Sequence, residues 1–197
     1  MRESSQDADF RGDTMRTKDL AHVALFAALT AALGLVPPLD VGFVPTPVTA
    51  QTLGVMLAGA VLGARRAGLA LLVFVALVAV GLPVLAGGRG GLGALLGPSG
   101  GFVLSWPVGA FVTGLLTERV WHRYHVLLGS ACNLVGGVLV VYLIGIPYMA
   151  LIGHLTLRSA FVGSLAFVPG DLVKTVVAAM AAVAVRRAYP LIEGTAA

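Results

Sequence analysis

Apolar residues run along this chain in long blocks, separated by short breaks that are polar or rich in glycine and proline. A helix that crosses a bilayer needs about 20 such residues in a row, with a range of about 17–25. Six blocks predict spanning helices, over residues 20–36, 48–64, 67–86, 102–117, 125–145 and 169–187. The fourth is short and contains Pro107, so a kinked or tilted, partly buried helix is expected there. Residues 148–168 are apolar but broken by Gly153, His154 and Arg158. They read as a loop carrying a short helix at the interface, with a seventh span as the alternative.

The first 17 residues, MRESSQDADFRGDTMRT, are polar and predict a disordered cytoplasmic tail, with Met15 a second possible start. The apolar run that follows ends in GLVPPLD without a small-x-small cleavage site, so a cleaved signal peptide is not expected. Residues 18–188 then form one membrane domain and 189–197 a short C-terminal tail.

Composition agrees with the pattern. The chain is 58% hydrophobic and 11% charged, with a mean hydropathy of +0.95. Soluble domains are about 45–50% apolar and about 25% charged, so an all-α, multi-pass integral membrane protein is expected. The net charge of +4 does not signal a nucleic-acid partner, because the basic residues fall at the ends of apolar blocks. With the N-terminus inside, ten of the 13 Lys and Arg residues are cytoplasmic: Arg2, Arg11, Arg16, Lys18, Arg65, Arg66, Arg119, Arg123, Arg186 and Arg187. Arg89 and Arg158 fall outside, and Lys174 lies inside the last span. The positive-inside rule therefore favours six spans with both termini cytoplasmic. The single Cys132 lies within an apolar run, excludes an internal disulfide and reads as a packing residue.

This topology puts three unusual segments on the external side: PPLDVGFVPTPVTAQT (37–52), AGGRGGLGALLGPSGG (86–101) and PGDLVK (169–174). Irregular backbone near a membrane is tolerated where it lines a cavity, so an externally capped ligand pocket is expected. In PGDLVK, Pro169 suits the first helical turn and Asp171 the positive end of the helix dipole. Lys174 follows one turn later on the same face. A charge near hydrocarbon costs about 2.5–3.5 kcal/mol. Either the two residues neutralise each other and fix helix packing, or both face a polar ligand, which is the default for ionisable groups inside a membrane.

Arg89, flanked by Gly88 and Gly90, is either a solvated loop arginine or the partner of a ligand carboxylate approached closely over glycine backbone. Gln51 offers an amide at the pocket mouth, or satisfies backbone groups freed near Pro45 and Pro47. Tyr142 and Asn133, in the fifth span, either line the pocket or bond between helices. In the first span, ALFAALTAALG (24–34) contains the small-xxx-small pairs Ala24/Ala28, Ala27/Ala31 and Ala28/Ala32. These allow close helix approach, within this chain or against a second membrane protein.

Several chemistries are missing from the sequence. No H-E-x-x-H, Cys/His metal spacing, G-x-S-x-G or aspartate-rich diphosphate motif occurs, so an enzyme is not expected. The glycine-rich segment lacks the Lys-Ser/Thr of a phosphate loop and no βαβ unit surrounds it, so no nucleotide site is expected.

Taken in order, ALFAALTAALG, PTPVTAQTLGVMLAG, GLPVLAGGRGGLGALLGPSGG, YLIGIPYMA and PGDLVK resemble the BioY family. These are the biotin-specific substrate-binding (S) components of energy-coupling factor (ECF) transporters. The likeness extends from about Thr17 to Arg187. It implies a six-helix fold in a bacterial cytoplasmic membrane that binds biotin in an externally capped pocket, with Asp171 and Lys174 as ligand contacts. It also implies that Ala24, Ala28 and Ala32 dock on a transmembrane coupling subunit, which sits on two ATPase subunits. ATP would be hydrolysed only by those partners, and no cofactor is implied. Two positions depart from the pattern of a well-described relative. Arg89 stands where that protein has asparagine, and Val103 where it has an arginine just after GPSGG. Arg89 then becomes the candidate partner of the biotin carboxylate.

Overall fold

A computed structural model describes residues 17–40 and 45–188, and helices account for most of them. In chain order these are α1 Thr17–Leu33, α2 Gln51–Leu62, α3 Ala64–Ala79, α4 Leu92–Leu96, α5 Gly100–Arg119, α6 Val126–Ile152, α7 Leu157–Ser164 and α8 Val168–Ala188. Extended pairing among the described residues is limited to two isolated bridges, Leu39 with Val48 and Leu85 with Arg89. The expected N-terminal tail, apart from Thr17, and the expected C-terminal tail lie outside the described residues.

Three helical stretches are long and apolar enough to cross a bilayer: α5, α6, and α7 running into α8. α1 and α3, with 17 and 16 residues, are at or just under the short end of that range. The outward faces carry exposed Leu25, Leu72, Leu104, Leu143 and Val173. A continuous apolar exterior of this kind belongs against lipid, and the chain is an all-helical membrane protein.

The helices depart from the sequence-based boundaries where proline and glycine intervene. The block 48–64 yields only the 12-residue α2. Pro45 and Pro47 lack amide donors and push the residues before them toward extended backbone. That segment instead pairs with Leu39, whose N–H and C=O each bond Val48 at 2.9 Å. The block 67–86 starts earlier, at Ala64, and stops at Ala79, because Gly81 turns the chain with φ 101°. The fourth block is longer than expected and runs unbroken through Pro107. The fifth likewise continues through Pro147 to Ile152, where Gly153 ends the helix by donating to Met149 C=O.

The stretch expected to be a loop with a short helix, residues 148–168, does contain a short helix but is mostly helical throughout. Its first part completes α6. Its second part is α7, capped by the Thr156 hydroxyl on the Ser159 N–H at 3.1 Å. A single 3-10 turn, Leu165–Phe167, then leads into α8.

α5 is the central post, packed against α3, α2 and α6, while α8 closes on α2 and α6, and α1 on α3 and α2. Without a hydrophobic drive between helices in lipid, close packing depends on small residues. Gly59 lies against Thr113 and Ala110, Gly109 against Gly136 and Val141, and Gly114 against the Gly63–Ala64 backbone. Gly63, with φ 81°, is the whole connection between α2 and α3, and Glu118 Oε1 accepts the free Ala64 N–H at 2.7 Å. Nearby, Arg66 pairs with Asp19 at 3.0 Å. At the start of α6, Arg186 donates to Tyr124 C=O at 2.6 Å and lies over the Trp121 ring. Burial raises the Tyr124 phenol to about 12, so it stays neutral there.

Gly114→Val should drive a side chain into the Gly63–Ala64 backbone and cost about 1–3 kcal/mol. For a chain of this size the Tm should fall by roughly 3–10 °C. Detergent-solubilised protein followed by a thermal-shift assay measures it. An unchanged Tm would mean that α5 does not sit on the α2–α3 turn.

Candidate ligand-binding site

The helical register of α8 sets Asp171 and Lys174 one turn apart, and the structure joins them in an ion pair of 3.0 Å. Both are largely withdrawn from solvent, at 5% and 16% side-chain exposure. Two charges in such a place are costly unless each is paired and fully hydrogen-bonded. Three residues from two other parts of the chain meet that demand. The Tyr142 hydroxyl of α6 donates to Asp171 Oδ2 at 2.7 Å, and the Thr52 hydroxyl of α2 donates to Asp171 Oδ1 at 3.2 Å. Lys174 Nζ donates to the Thr49 carbonyl at 2.7 Å, to Thr52 Oγ1 at 2.9 Å and to Asp171 Oδ1 at 3.0 Å. All three ammonium protons are used, whereas the carboxylate keeps unused acceptor capacity on Oδ2.

This network forms the polar wall of a cavity. The same cavity is bordered by Thr46, Pro47 and Val48 from the extended segment, by Leu85, Arg89 and Ser99, and by Phe102, Trp106, Val141, Tyr142 and Phe167. The aromatic side is ordered edge to face: Phe102 meets Tyr142 at 6.1 Å and Phe167 at 6.0 Å, near 90° in each case. Trp106 stacks at a tilt on Phe74, and its buried Nε1 has no hydrogen-bond partner among the described residues. Free space between the walls is small, about 50 Å³.

A stretch of π-helix, Leu134–Val140, lies immediately before Val141 and Tyr142 in α6. A π-turn widens the helix and re-aims the side chains beyond it. Gly136 and Gly137 allow the wide turn to sit directly on Thr113 and Met56. Asn133, just before it, donates to Thr175 C=O at 3.0 Å and does not line the cavity. Of its two readings, the bond between helices describes it.

Gln51 borders the cavity, but its amide is taken by the chain itself. Nε2 donates to Thr30 C=O at 3.1 Å and Val84 C=O at 2.9 Å, while Oε1 accepts the Ala86 N–H at 2.9 Å. It satisfies backbone as one reading held, at α1 and the segment after α3 rather than near Pro45 and Pro47. Arg89 reaches the cavity from a tight turn in which Leu85 and Arg89 exchange backbone bonds. Its guanidinium donates to Ala86 C=O at 3.2 Å and to Ser99 Oγ at 3.4 Å, both long bonds. Gly87 and Gly88, with φ 76° and 69°, supply the left-handed residues of that turn, and Gly90 packs against Leu82 C=O. None of these glycines borders the cavity; they aim Arg89. The glycine-rich segment is tethered rather than free, since Tyr148 OH donates to Leu95 C=O in α4 at 2.9 Å.

Sequence reasoning missed Thr49, Thr52, Phe102 and Trp106. Thr52 had a signal, since it adjoins Gln51 within PTPVTAQT; the aromatic pair sat inside an apolar block that periodicity reads as ordinary core. On the far side of α1, Ala24, Ala28 and Ala32 are exposed, while Ala27 is buried.

The family model that describes the BioY family matches residues 4–191. The chain belongs to the BioY family. It is 51% identical to the "Biotin transporter BioY" of Rhizobium etli over 92% of this chain and all of that protein. It is 46% identical to the "Probable biotin transporter BioY" of Bacillus subtilis, over 88% of this chain and 92% of the other. Its fold matches a crystal structure of "the S-component for biotin from an ECF-type ABC transporter", with a TM-score of 0.83 at 29% identity, covering 88% of this chain and 95% of that one. BioY proteins are transport proteins, so the cavity is read as a binding site and not as a reaction centre.

Replacing Gln51 by Leu would strand the Val84 carbonyl and the Ala86 N–H, at about 1–3 kcal/mol for each buried group. Amide exchange over residues 84–90 should quicken by about tenfold or more, while exchange in α5 changes little. Equal protection in both proteins would show that Gln51 does not hold this segment.

Proposed function

We propose that this protein binds biotin in the Asp171–Lys174 cavity and serves as the substrate-binding component of an ECF-type transporter in the bacterial cytoplasmic membrane. The observation that carries the reading is the buried Asp171–Lys174–Thr52–Tyr142 network, facing an aromatic wall in a BioY chain. Biotin combines a ureido ring with two N–H donors and a carbonyl, an apolar thioether ring, and a carboxylate tail. Asp171 Oδ2 accepts a ureido N–H, and Lys174 gives up one of its present acceptors to donate to the ureido carbonyl. Phe102, Trp106 and Phe167 receive the apolar ring. Arg89, held only by long bonds, turns to the carboxylate; it borders the same cavity as Val103, which has no charge to offer.

Six spans with both termini cytoplasmic put Arg65, Arg66, Arg119, Arg123, Arg186 and Arg187 on one side of the membrane and the cavity toward the other. The exposed Ala24, Ala28 and Ala32 face supports docking on a transmembrane coupling subunit, with two ATPase subunits hydrolysing ATP.

Purified protein should bind labelled biotin saturably. Asp171→Asn and Lys174→Ala each leave a buried partner uncompensated and should weaken binding by about 30-fold or more. Tyr142→Phe removes one hydrogen bond to the Asp171 carboxylate and should weaken binding by about tenfold or more. Unaltered affinity in both charge variants would sink the site; preference for another vitamin in a competition panel would change the substrate.

Arg89 has its own test. The unmodified protein should favour biotin over biotin methyl ester, and Arg89→Gln should bring the two within about twofold, since a charged hydrogen bond is worth about 1.5–3 kcal/mol. A preference that survives Arg89→Gln would place the carboxylate elsewhere.

A further inference from the structure

A second hollow lies between α6 and α7, and the biotin reading makes no use of it. It is a groove of about 750 Å³ walled by Leu139, Leu143, Ile146, Pro147, Leu157 and Phe161. Leu143, Leu157 and Phe161 are 76%, 60% and 54% exposed, so the groove opens on the outer surface of the bundle. Arg158 borders it, and also borders an adjoining hollow of mixed character lined by Thr156, Ser159, Val162 and Gly163. Among the described residues Arg158 has no ion-pair partner.

We propose that this groove binds one anionic phospholipid, with its phosphate on Arg158 and an acyl chain lying along α6. The two compartments have the chemistry of such a molecule and of little else. A water-soluble ligand would need convergent polar groups inside the groove, and the walls present none apart from Tyr142 and Arg158. A packed helix from a second copy would fill the apolar part but leave the arginine without a counter-charge at the edge of the hydrocarbon, where an unpaired charge is costly. An anionic headgroup supplies that charge, and the hydrogen-bonded Thr156–Ser159 pair has one hydroxyl proton left to donate to its oxygens.

The position matters because Tyr142 borders both hollows. Its ring separates the groove from the ligand cavity, and its hydroxyl holds Asp171 at 2.7 Å. An acyl chain in the groove backs that ring and steadies the carboxylate. Anionic lipid should therefore tighten biotin binding, a consequence that rests on the biotin reading; the lipid site itself does not.

The test uses the full chain in nanodiscs with phosphatidylglycerol or phosphatidylcholine carrying a photoactivatable acyl chain, and maps the labelled peptides by mass spectrometry. Phosphatidylglycerol should label residues 139–161 about five-fold more than phosphatidylcholine, the effect of one surface cation on an anionic lipid. Arg158→Gln should bring the ratio close to one, and Arg158→Lys should preserve most of it. Leu143→Trp, which fills the groove but keeps the arginine, should reduce labelling by both lipids. Gel filtration confirms that each variant is folded. Equal labelling by the two lipids in the unmodified chain overturns the proposal. So does labelling confined to other helices, or an unlabelled groove in a chain that light scattering finds dimeric. None of these readouts involves biotin, so failure here and failure of the biotin site are separate results.

Discussion

Two opposite charges on one turn of α8 are the constraint around which the rest of this structure is arranged. Asp171 and Lys174 satisfy each other only in part, because an ammonium has three protons and a carboxylate room for about four bonds. The remaining partners come from α6 and from the start of α2, through Tyr142, Thr52 and the Thr49 carbonyl. The carbonyl is free because α2 begins only at Gln51. Had the helix run back through residue 48, its carbonyls would have been spent on its own backbone. The prolines that shorten α2 therefore expose the acceptor that Lys174 needs, and the extended segment so created becomes a wall of the cavity.

The same logic applies to the glycines. Between helices in lipid, attraction comes from contact, and contact improves as side chains shrink. Gly59, Gly109 and Gly114 bring α2, α3 and α6 onto α5, and Gly136 and Gly137 admit a widened turn in α6. That turn lies just ahead of Tyr142, which must reach Asp171 on another helix while packing its ring on Phe102. Close packing at one level thus fixes the geometry of hydrogen bonds at the next.

The charged groups of the site are already paired within the chain, which shapes how it can bind. Every ammonium proton of Lys174 is committed, so binding is an exchange of partners and not the filling of idle donors. The groups with capacity to spare are Asp171 Oδ2, the unpaired indole N–H of Trp106 and the loosely held Arg89. They lie on different walls of the cavity, which suits a ligand that is polar at both ends and apolar between.

Much of this was legible in the sequence where the information is local. Block length and composition determine an all-helical membrane chain, because the bilayer imposes one minimum length and one composition on every span. The Asp171–Lys174 pairing follows from a three-residue spacing on a helix. Helical period likewise puts Ala24, Ala28 and Ala32 on one face of α1, but that this face is exposed and Ala27 buried was decided by the packing. Only the tertiary structure decided where prolines stop a helix, as before Gln51, and where they do not, as at Pro107 and Pro147. It also decided that Gln51 holds backbone, that Gly87 and Gly88 set a turn ahead of Arg89, and that Thr52 meets Lys174 across 122 residues of chain. The physical reason is range: hydrophobic period and i,i+3 neighbours are properties of one segment, whereas a buried charge draws its partners from any segment that the packing brings within 3 Å.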